Sequence, residues 1–267
     1  MPEFTDRVII VTGASEGIGR ALCVALAPQG PRLVLAARNR ERLGSLKAEV
    51  ESLGARALVV PTDVTIEAEC RSLVEKTVAD RGAIDALVAN AGGTMWARLD
   101  EVTDTGIFER LMRLNYLGAA WCTYYALPHL KKSKGRIVAI SSAAGLTGVP
   151  TRTGYAASKH AMMGFFDSLR IELFGTGVTV TIVAPYFVVS EIHRRALGPD
   201  GKPLGTSPMV ESKVMTTAAC AQKIVRAMER RDRLLVTSKR ARLGMFIKLF
   251  SPETVDKMAK KAIEKRH

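Results

Sequence analysis

The sequence predicts an α/β protein built on a doubly wound parallel sheet, and three observations carry that expectation. Short apolar runs alternate with stretches of helical periodicity along most of the 267 residues. The runs are almost continuously apolar, which suits strands covered on both faces rather than strands with one wet face. A glycine-rich turn, Thr12-Gly13-Ala14-Ser15-Glu16-Gly17-Ile18-Gly19, follows the first run directly. That is where such folds receive a dinucleotide.

Val8–Val11 is the first expected strand, and Ile18–Leu26 is the helix that leaves the turn. Arg32–Ala36 and Ala57–Val60 follow as strands, separated by a helix over Arg40–Leu53. A helix over Glu67–Asp80 leads to strand Ala86–Ala89; strand Arg136–Ile140 then precedes a helix over Ala156–Phe174. Val178–Val183 is the sixth strand, and a Gly/Pro-rich loop over Leu197–Pro208 interrupts the pattern. Helix Thr217–Arg230 and strand Leu234–Thr237 complete it. Such alternation closes into one sheet with helices on both faces. No linker or repeat divides the chain, so 1–238 is read as the catalytic domain and 239–267 as a basic, amphipathic extension of it.

With 47% hydrophobic and 24% charged residues, the chain can fill one core without metals or disulfides. Its net charge of +13 is concentrated: Lys223 to Arg266 holds fourteen Lys/Arg against five Asp/Glu, nine of those thirteen charges. The body is nearly neutral, and the basic tail lacks a recognised nucleic-acid module, so no nucleic-acid partner is expected. Cys23, Cys70, Cys122 and Cys220 stand apart with no metal-ligand spacing; no metal is expected, and isolated thiols suit a reducing cytoplasm. The start of the chain lacks the pattern of an export leader. Val178–Val189 is too short for a membrane span and contains Pro185.

Gly13, Gly17 and Gly19 permit a tight turn and bring backbone N–H groups, with Ile18, to a pyrophosphate at a helix N-terminus. The second strand ends Ala36-Ala37-Arg38-Asn39-Arg40. An NAD site holds a carboxylate there for the ribose hydroxyls; Arg38 suits a 2′-phosphate instead, with Ser15 adding a hydroxyl. NADP(H) is therefore the expected cofactor. Asp63 and Val64, after the third strand, are placed at the adenine, with Asp63 as acceptor or as a local cap. Asn90 and Gly92, after the fourth strand, border the ribose. Ser142 ends the fifth strand, and Tyr155 and Lys159 are four residues apart on one helical face. A free tyrosine has a pKa of about 10; a neighbouring ammonium is expected to lower it and make Tyr155 a general acid or base. Ser142 is expected to donate to the substrate oxygen.

Taken together, T-G-A-S-E-G-I-G, N-A-G at 90–92, Asn115 in Leu114-Asn115-Tyr116, Ser142 and Y-A-A-S-K at 155–159 resemble the short-chain dehydrogenase/reductase family over residues 5–238. The resemblance implies a Rossmann fold and a catalytic set of Asn115, Ser142, Tyr155 and Lys159. In it Asn115 anchors a water of the proton relay and Lys159 also holds the nicotinamide ribose. Local stretches such as Ala126–Lys131 and Gly164–Arg170 resemble 11-beta-hydroxysteroid dehydrogenases; Phe108–Met112 with Asn115–Gly118 is similar to 3-ketodihydrosphingosine reductases. Two departures stand out. Glu16 replaces the Lys or Arg common in NADP-using members, which removes a phosphate contact. Pro185-Tyr186 and Ser190 replace the usual Pro-Gly and a later Thr, leaving Pro185, Val188 and Ser190 to border the nicotinamide.

The expected reaction is reduction of a ketone, or oxidation of a secondary alcohol, on an apolar lipid- or steroid-like substrate. Met95, Trp96, Val149, Pro150, Tyr186, Phe187 and Met215 lie in segments expected around it, with few charges. A non-catalytic NADPH-binding regulator, a 3-ketoacyl thioester reductase and an epimerase or dehydratase are the alternatives. The family's habit implies a homodimer or homotetramer through helices matching 105–130 and 155–174. In the tail, Leu243, Phe246, Ile247 and Phe250 form an apolar stripe. Ser251-Pro252 opens a second helix with Val255, Met258, Ala259 and Ala262 on one face. That pair either packs on the protein as a lid or touches an anionic membrane, placing the protein at the inner membrane face.

Overall fold

The computed structural model describes residues 2–208 and 214–264. Seven strands form one sheet: β1 (Val8–Thr12), β2 (Arg32–Ala37), β3 (Arg56–Pro61), β4 (Ala86–Ala89), β5 (Arg136–Ile140), β6 (Thr179–Ala184) and β7 (Leu234–Val236). Their order is β3-β2-β1-β4-β5-β6-β7, and every pairing is parallel. The helices are α1 (Gly17–Leu26), α2 (Arg40–Ser52), α3 (Glu67–Arg81), α4 (Gly106–Leu111), α5 (Gly118–Ser133), α6 (Thr153–Glu172), α7 (Thr217–Arg230), α8 (Lys239–Phe250) and α9 (Pro252–Glu264). This is the doubly wound sheet that the apolar runs predict.

Strand periodicity divides the core in two. Ile9 and Val11 of β1 pack with Leu22 of α1, Leu43 of α2 and Ile224 of α7 on one face. Val8 and Ile10 pack with Leu73 of α3, Cys122 of α5 and Phe166 of α6 on the other. All five β1 residues are buried, each large one worth about 1.5–3 kcal/mol. Both faces being dry explains the continuous apolar runs. The chain order reverses between β1 and β4, which opens a crevice beyond their carboxyl ends.

Three elements differ from expectation. β6 is displaced by one residue, because Gly177 turns at φ +81 and Thr179 is the first residue to pair, with Arg136. α6 starts at Thr153, so Tyr155 lies within its first turn. Periodicity placed no helix across 106–133, which only the family resemblance suggested. There α4 runs into a π-helical turn over Met112–Leu117 and then α5, with Pro128 inside it. Gly118 obscures the pattern for a packing reason: a Cβ there would stand 2.8 Å from the Val64 carbonyl oxygen.

The tail stripe faces the other way from a packing surface. Phe246 is 61% and Phe250 88% exposed, with Leu243 and Leu249 also exposed and Ile247 half-buried. Ala241, Gly244, Met245 and Lys248 instead form the inner face of α8, toward the crevice. In α9, Val255 is buried and Met258 and Ala259 also face the crevice. Ala262 belongs to α9, but its side chain is outside the described set.

Candidate active site

A cleft of ≈ 850 Å³ occupies the crevice. Its floor is built by close approach. Gly13 has φ +65, and a Cβ there would lie 2.8 Å from Ala91 Cα. A Cβ on Gly19 would fall 2.5 Å from Asn90 Nδ2. Asn90 binds the turn rather than only bordering a ribose: Nδ2 donates to the Thr12 and Gly13 carbonyls at 2.9 and 3.2 Å. Thr12 Oγ1 accepts from Asn90 N and Ala91 N in return. α1 opens at Gly17 without a side-chain cap, so its first N–H groups face the cleft beside Ser15, Gly17 and Ile18. A turn this close to β4, at an uncapped helix start, fits a pyrophosphate.

At the β2 end, Arg38 is 76% exposed and its Nη1 is 3.8 Å from Asp63 Oδ2. Asp63 Oδ1 accepts from Thr65 N at 3.0 Å and Thr65 Oγ1 at 2.8 Å. Asp63 therefore shapes the local turn with one oxygen and faces Arg38 with the other; Val64 lines the cleft beside it. Glu16 does more than subtract a phosphate contact. Its two oxygens bind Arg42 Nη1 at 2.5 Å and Arg195 Nη1 at 2.6 Å, gathering two guanidiniums at the cleft rim. Arg42 went unnoticed in the sequence, although its place in the first turn of α2, after the Asn39 cap, was readable.

Ser142, Tyr155, Lys159 and Asn115 converge on the opposite side. Ser142 follows β5 and accepts from Ala144 N at 3.1 Å. Ser142 and Tyr155 both line the cleft, and the Ser142 hydroxyl acts to lower the Tyr155 pKa. Lys159 is buried, and Nζ donates to the Ile140 carbonyl at 2.9 Å, with Met162 Sδ at 3.3 Å. Gly92 is held small by Asn115: a Cβ there would be 2.9 Å from Asn115 Oδ1, with Lys159 Nζ in ordinary contact at 3.5 Å. The Asn115 side chain is fully occupied, accepting from Gly93 N and donating to Gly93 O and Ser158 Oγ. It ties the π turn to the strand end and to α6.

The electrostatics correct one expectation. Burial raises the Tyr155 phenol above its ordinary value; the Ser142 hydroxyl and the Arg152 guanidinium oppose this. Lys159 is not what lowers it. Its ammonium is 6.0 Å from the ring centroid, and burial pushes its own pKa down to about 7. Desolvation in a closed site dominates both groups.

Toward the substrate side, Pro185 O accepts from Ala143 N at 2.8 Å, and Ser190 packs beside Gly17, whose Cβ would be 3.6 Å away. Val188 is buried and its carbonyl meets His193 Nε2 at 3.2 Å. The apolar residues expected here divide. Val149, Tyr186 and Phe187 line the cleft. Met95 is buried in a core cluster against Tyr155, Met215 pairs with Val188, and Pro150 is exposed. Residues 209–213 of the surrounding loop lie outside those described. The expected scarcity of charge also fails: Arg152 is buried here with its Cζ 4.3 Å over the Trp96 ring. Among the described residues no His/Cys/Asp/Glu group could hold a metal, and no helix is long and apolar enough to cross a membrane.

Comparison with known proteins follows the same lines. A family model described as short chain dehydrogenase matches residues 7–198. A dehydrogenase/reductase SDR family protein 7-like of Dictyostelium discoideum is 33% identical over 259 residues, covering 95% of this chain and 80% of the relative. An 11-beta-hydroxysteroid dehydrogenase A of Sesamum indicum is 35% identical over 260 residues, covering 95% and 74%. Among solved structures, an alcohol dehydrogenase from Thermococcus sibiricus, complexed with 5-hydroxy-NADP, superposes with TM-score 0.73 at 26% identity, covering 86% and 94%. A short chain dehydrogenase/reductase from Burkholderia phymatum, in complex with NAD, gives 0.82 at 23% identity over 95% and 96%, a likeness of fold alone.

Proposed function

This chain belongs to the short-chain dehydrogenase/reductase family of nicotinamide-dependent oxidoreductases acting on CH–OH and C=O groups, and on that premise we propose that it is an NADP(H)-dependent ketone reductase. Its substrates are apolar, lipid- or steroid-like ketones or the corresponding alcohols. The observation that carries the reading is the meeting of Ser142, Tyr155 and Lys159 at the end of β5 beside the glycine cradle of β1 and β4.

Gly13, Gly17, Gly19 and the α1 N-terminus would hold the cofactor's pyrophosphate; Asn90, Gly92 and Lys159 border its ribose; Pro185, Val188 and Ser190 border the nicotinamide. When bound, the nicotinamide supplies or accepts the hydride. Ser142 donates a hydrogen bond to the substrate oxygen, and Tyr155, protonated at neutral pH by its raised pKa, delivers the proton as carbonyl becomes alkoxide. Lys159 orients the ribose, and Asn115 holds the backbone of the π turn against Gly93. Residues 1–238 are read as the catalytic body and 239–267 as its extension, a reading supported by the place of α8 and α9 beside the cleft. Four buried thiols left free, Cys23, Cys70, Cys122 and Cys220, with Cys70 beside Cys122 and yet unbridged, support a reducing, cytoplasmic setting.

The NADP preference rests on Arg38, with Arg42 second and no acid at Ala37. A charge-assisted hydrogen bond contributes about 1.5–3 kcal/mol, so Arg38→Ala is expected to cut kcat/KM for NADPH about ten-fold or more. The value for NADH should barely change; measuring both separates a phosphate contact from a folding defect. An unchanged ratio would assign the phosphate to other residues.

Two surfaces support partners. Tyr124, Ile171 and Phe174 are exposed on α5 and after or within α6, the region through which the family resemblance implies pairing. A homodimer or homotetramer is expected in light scattering at micromolar concentration; monomer alone would rule it out. On α8, exposed Leu243, Phe246, Leu249 and Phe250 accompany Lys239 and Arg242, and the helix carries no acidic residue. That composition fits an anionic lipid surface, which gains about 1 kcal/mol per basic residue, and repels a second copy of itself. Full-length protein should sediment with vesicles containing phosphatidylglycerol at low salt, and a chain ending at Ser238 should remain in solution. Equal behaviour of the two would remove the membrane contact.

A further inference from the structure

We propose that Gly244 sets the length of the substrate, because the space beside it receives the apolar end remote from the reacting carbon. The inference rests on the ketone-reductase reading and narrows its substrate class to molecules long enough to reach α8.

Gly244 stands where local physics disfavours it. It is the sixth of the twelve residues of α8, and a glycine inside a helix destabilises that helix relative to alanine. The usual structural reasons for a glycine are missing. Its φ is not positive, so no left-handed turn requires it. An added Cβ would meet no described atom within 4 Å, so no close approach of another segment requires it either. Gly44 of α2 and Gly164 of α6 are equally clear, but both are exposed and the open space beside them is solvent. Gly244 is half-buried, and the open space beside it is the cleft. A local rule broken without a packing reason points to function.

α8 crosses the substrate side of the cleft, because both of its ends are tied to the wall that carries Ser142. At its start, Thr237 Oγ1 accepts from Tyr186 N at 3.0 Å, and the Ser238 hydroxyl caps the helix by accepting from Ala241 N at 3.3 Å. Near its end, Lys248 Nζ donates to Leu146 O at 2.9 Å. The segments of Tyr186 and Leu146 are themselves joined beside Ser142, where Ala143 N donates to Pro185 O at 2.8 Å. Gly244 lies between the two ties, one turn before Lys248 and on the same face. Met245 of α8 and Met258 and Ala259 of α9 line the cleft around it, an apolar and adaptable surface. A substrate carbonyl must sit at Tyr155 for proton transfer, so what reaches α8 is the remote end of the molecule. Each methylene that finds room there gains about four-fold in affinity.

The test compares 2-hexanone with 2-undecanone in wild type, Gly244→Ala, Gly244→Met and the surface control Gly44→Met. Wild type should favour 2-undecanone in kcat/KM. Gly244→Met should cut that preference about ten-fold or more, the worth of two displaced methylenes, and Gly244→Ala should cut it less. Gly44→Met should keep it whole. Methionine is a better helix former than glycine, so α8 itself should persist in the variant. Wild type that gains nothing from the longer chain, or equal losses on the two ketones in Gly244→Met, overturns the proposal. Calorimetric binding of both ketones to the protein loaded with NADP⁺ gives a readout without turnover. A length preference lost in Gly244→Met sustains the proposal even if no ketone is reduced, an outcome that would sink only the reductase reading. A preference kept in Gly244→Met overturns it even if reduction proceeds.

Discussion

Tyr155→Phe is expected to lower turnover about 10²–10⁴-fold, the usual loss when a general acid is removed. The ring would still fill its place against Met95 and Ile107 in the cluster around α4, so the fold should lose no more than about 1 kcal/mol. The phenol does not hold the glycine cradle, and NADPH affinity by fluorescence titration should stay close to wild type. Direction adds a second signature. Ketone reduction uses the protonated phenol, which the raised pKa keeps available at neutral pH. Alcohol oxidation uses the phenolate, so its rate should climb as pH rises above neutral and lose that climb in the variant. Near-normal turnover in Tyr155→Phe would remove Tyr155 from the proton transfer.

Much of the site was legible because its chemistry depends on spacing along single elements. Tyr155 and Lys159 share a helix, and the glycines of residues 13–19 share a turn; fixed periods put them on one face whatever the rest of the chain does. The sheet was legible because both of its faces are covered, so each strand announces itself as an apolar run. What escaped depends on contacts between distant segments. Glu16 meets Arg42 and Arg195 across 26 and 179 residues, and no local pattern reports such a triad. Arg152 reads locally as a surface charge before a helix; only the arrival of Trp96 and Phe187 beside it makes it part of a wall. The π turn at Met112–Leu117 was hidden in the same way, since Asn115 needs the extra residue to reach Gly93 and Ser158. The tail shows the limit from the other side. Its apolar stripe was correctly recognised, but hydrophobic spacing cannot say whether a stripe faces protein or lipid, and α8 turns its smaller residues inward.

The pKa of Lys159 implies a conflict between stability and activity at that position. Burial brings it from 10.5 to about 7, so between those values the unfolded chain binds more protons than the folded one. Stability therefore rises with pH across that window, and below about pH 7 the fold bears the full cost of a buried charge. Three and a half units at about 1.36 kcal/mol each give a cost of about 5 kcal/mol. Lys159→Met removes that cost while filling a similar volume, but leaves the Ile140 carbonyl without its 2.9 Å donor, a loss of about 1–3 kcal/mol. The cofactor-free variant should thus be more stable than wild type by about 2–4 kcal/mol at pH 6, and the gap should close as pH approaches 10. The same variant should bind NADPH more weakly and turn over far more slowly, since one ammonium serves both ribose and site. Denaturant unfolding of both proteins at pH 6 and 9.5 decides the point. A gap that does not shrink with pH would show that Lys159 is not charged against its surroundings in the folded chain. A variant less stable at both pH values would show that its hydrogen bond outweighs its desolvation.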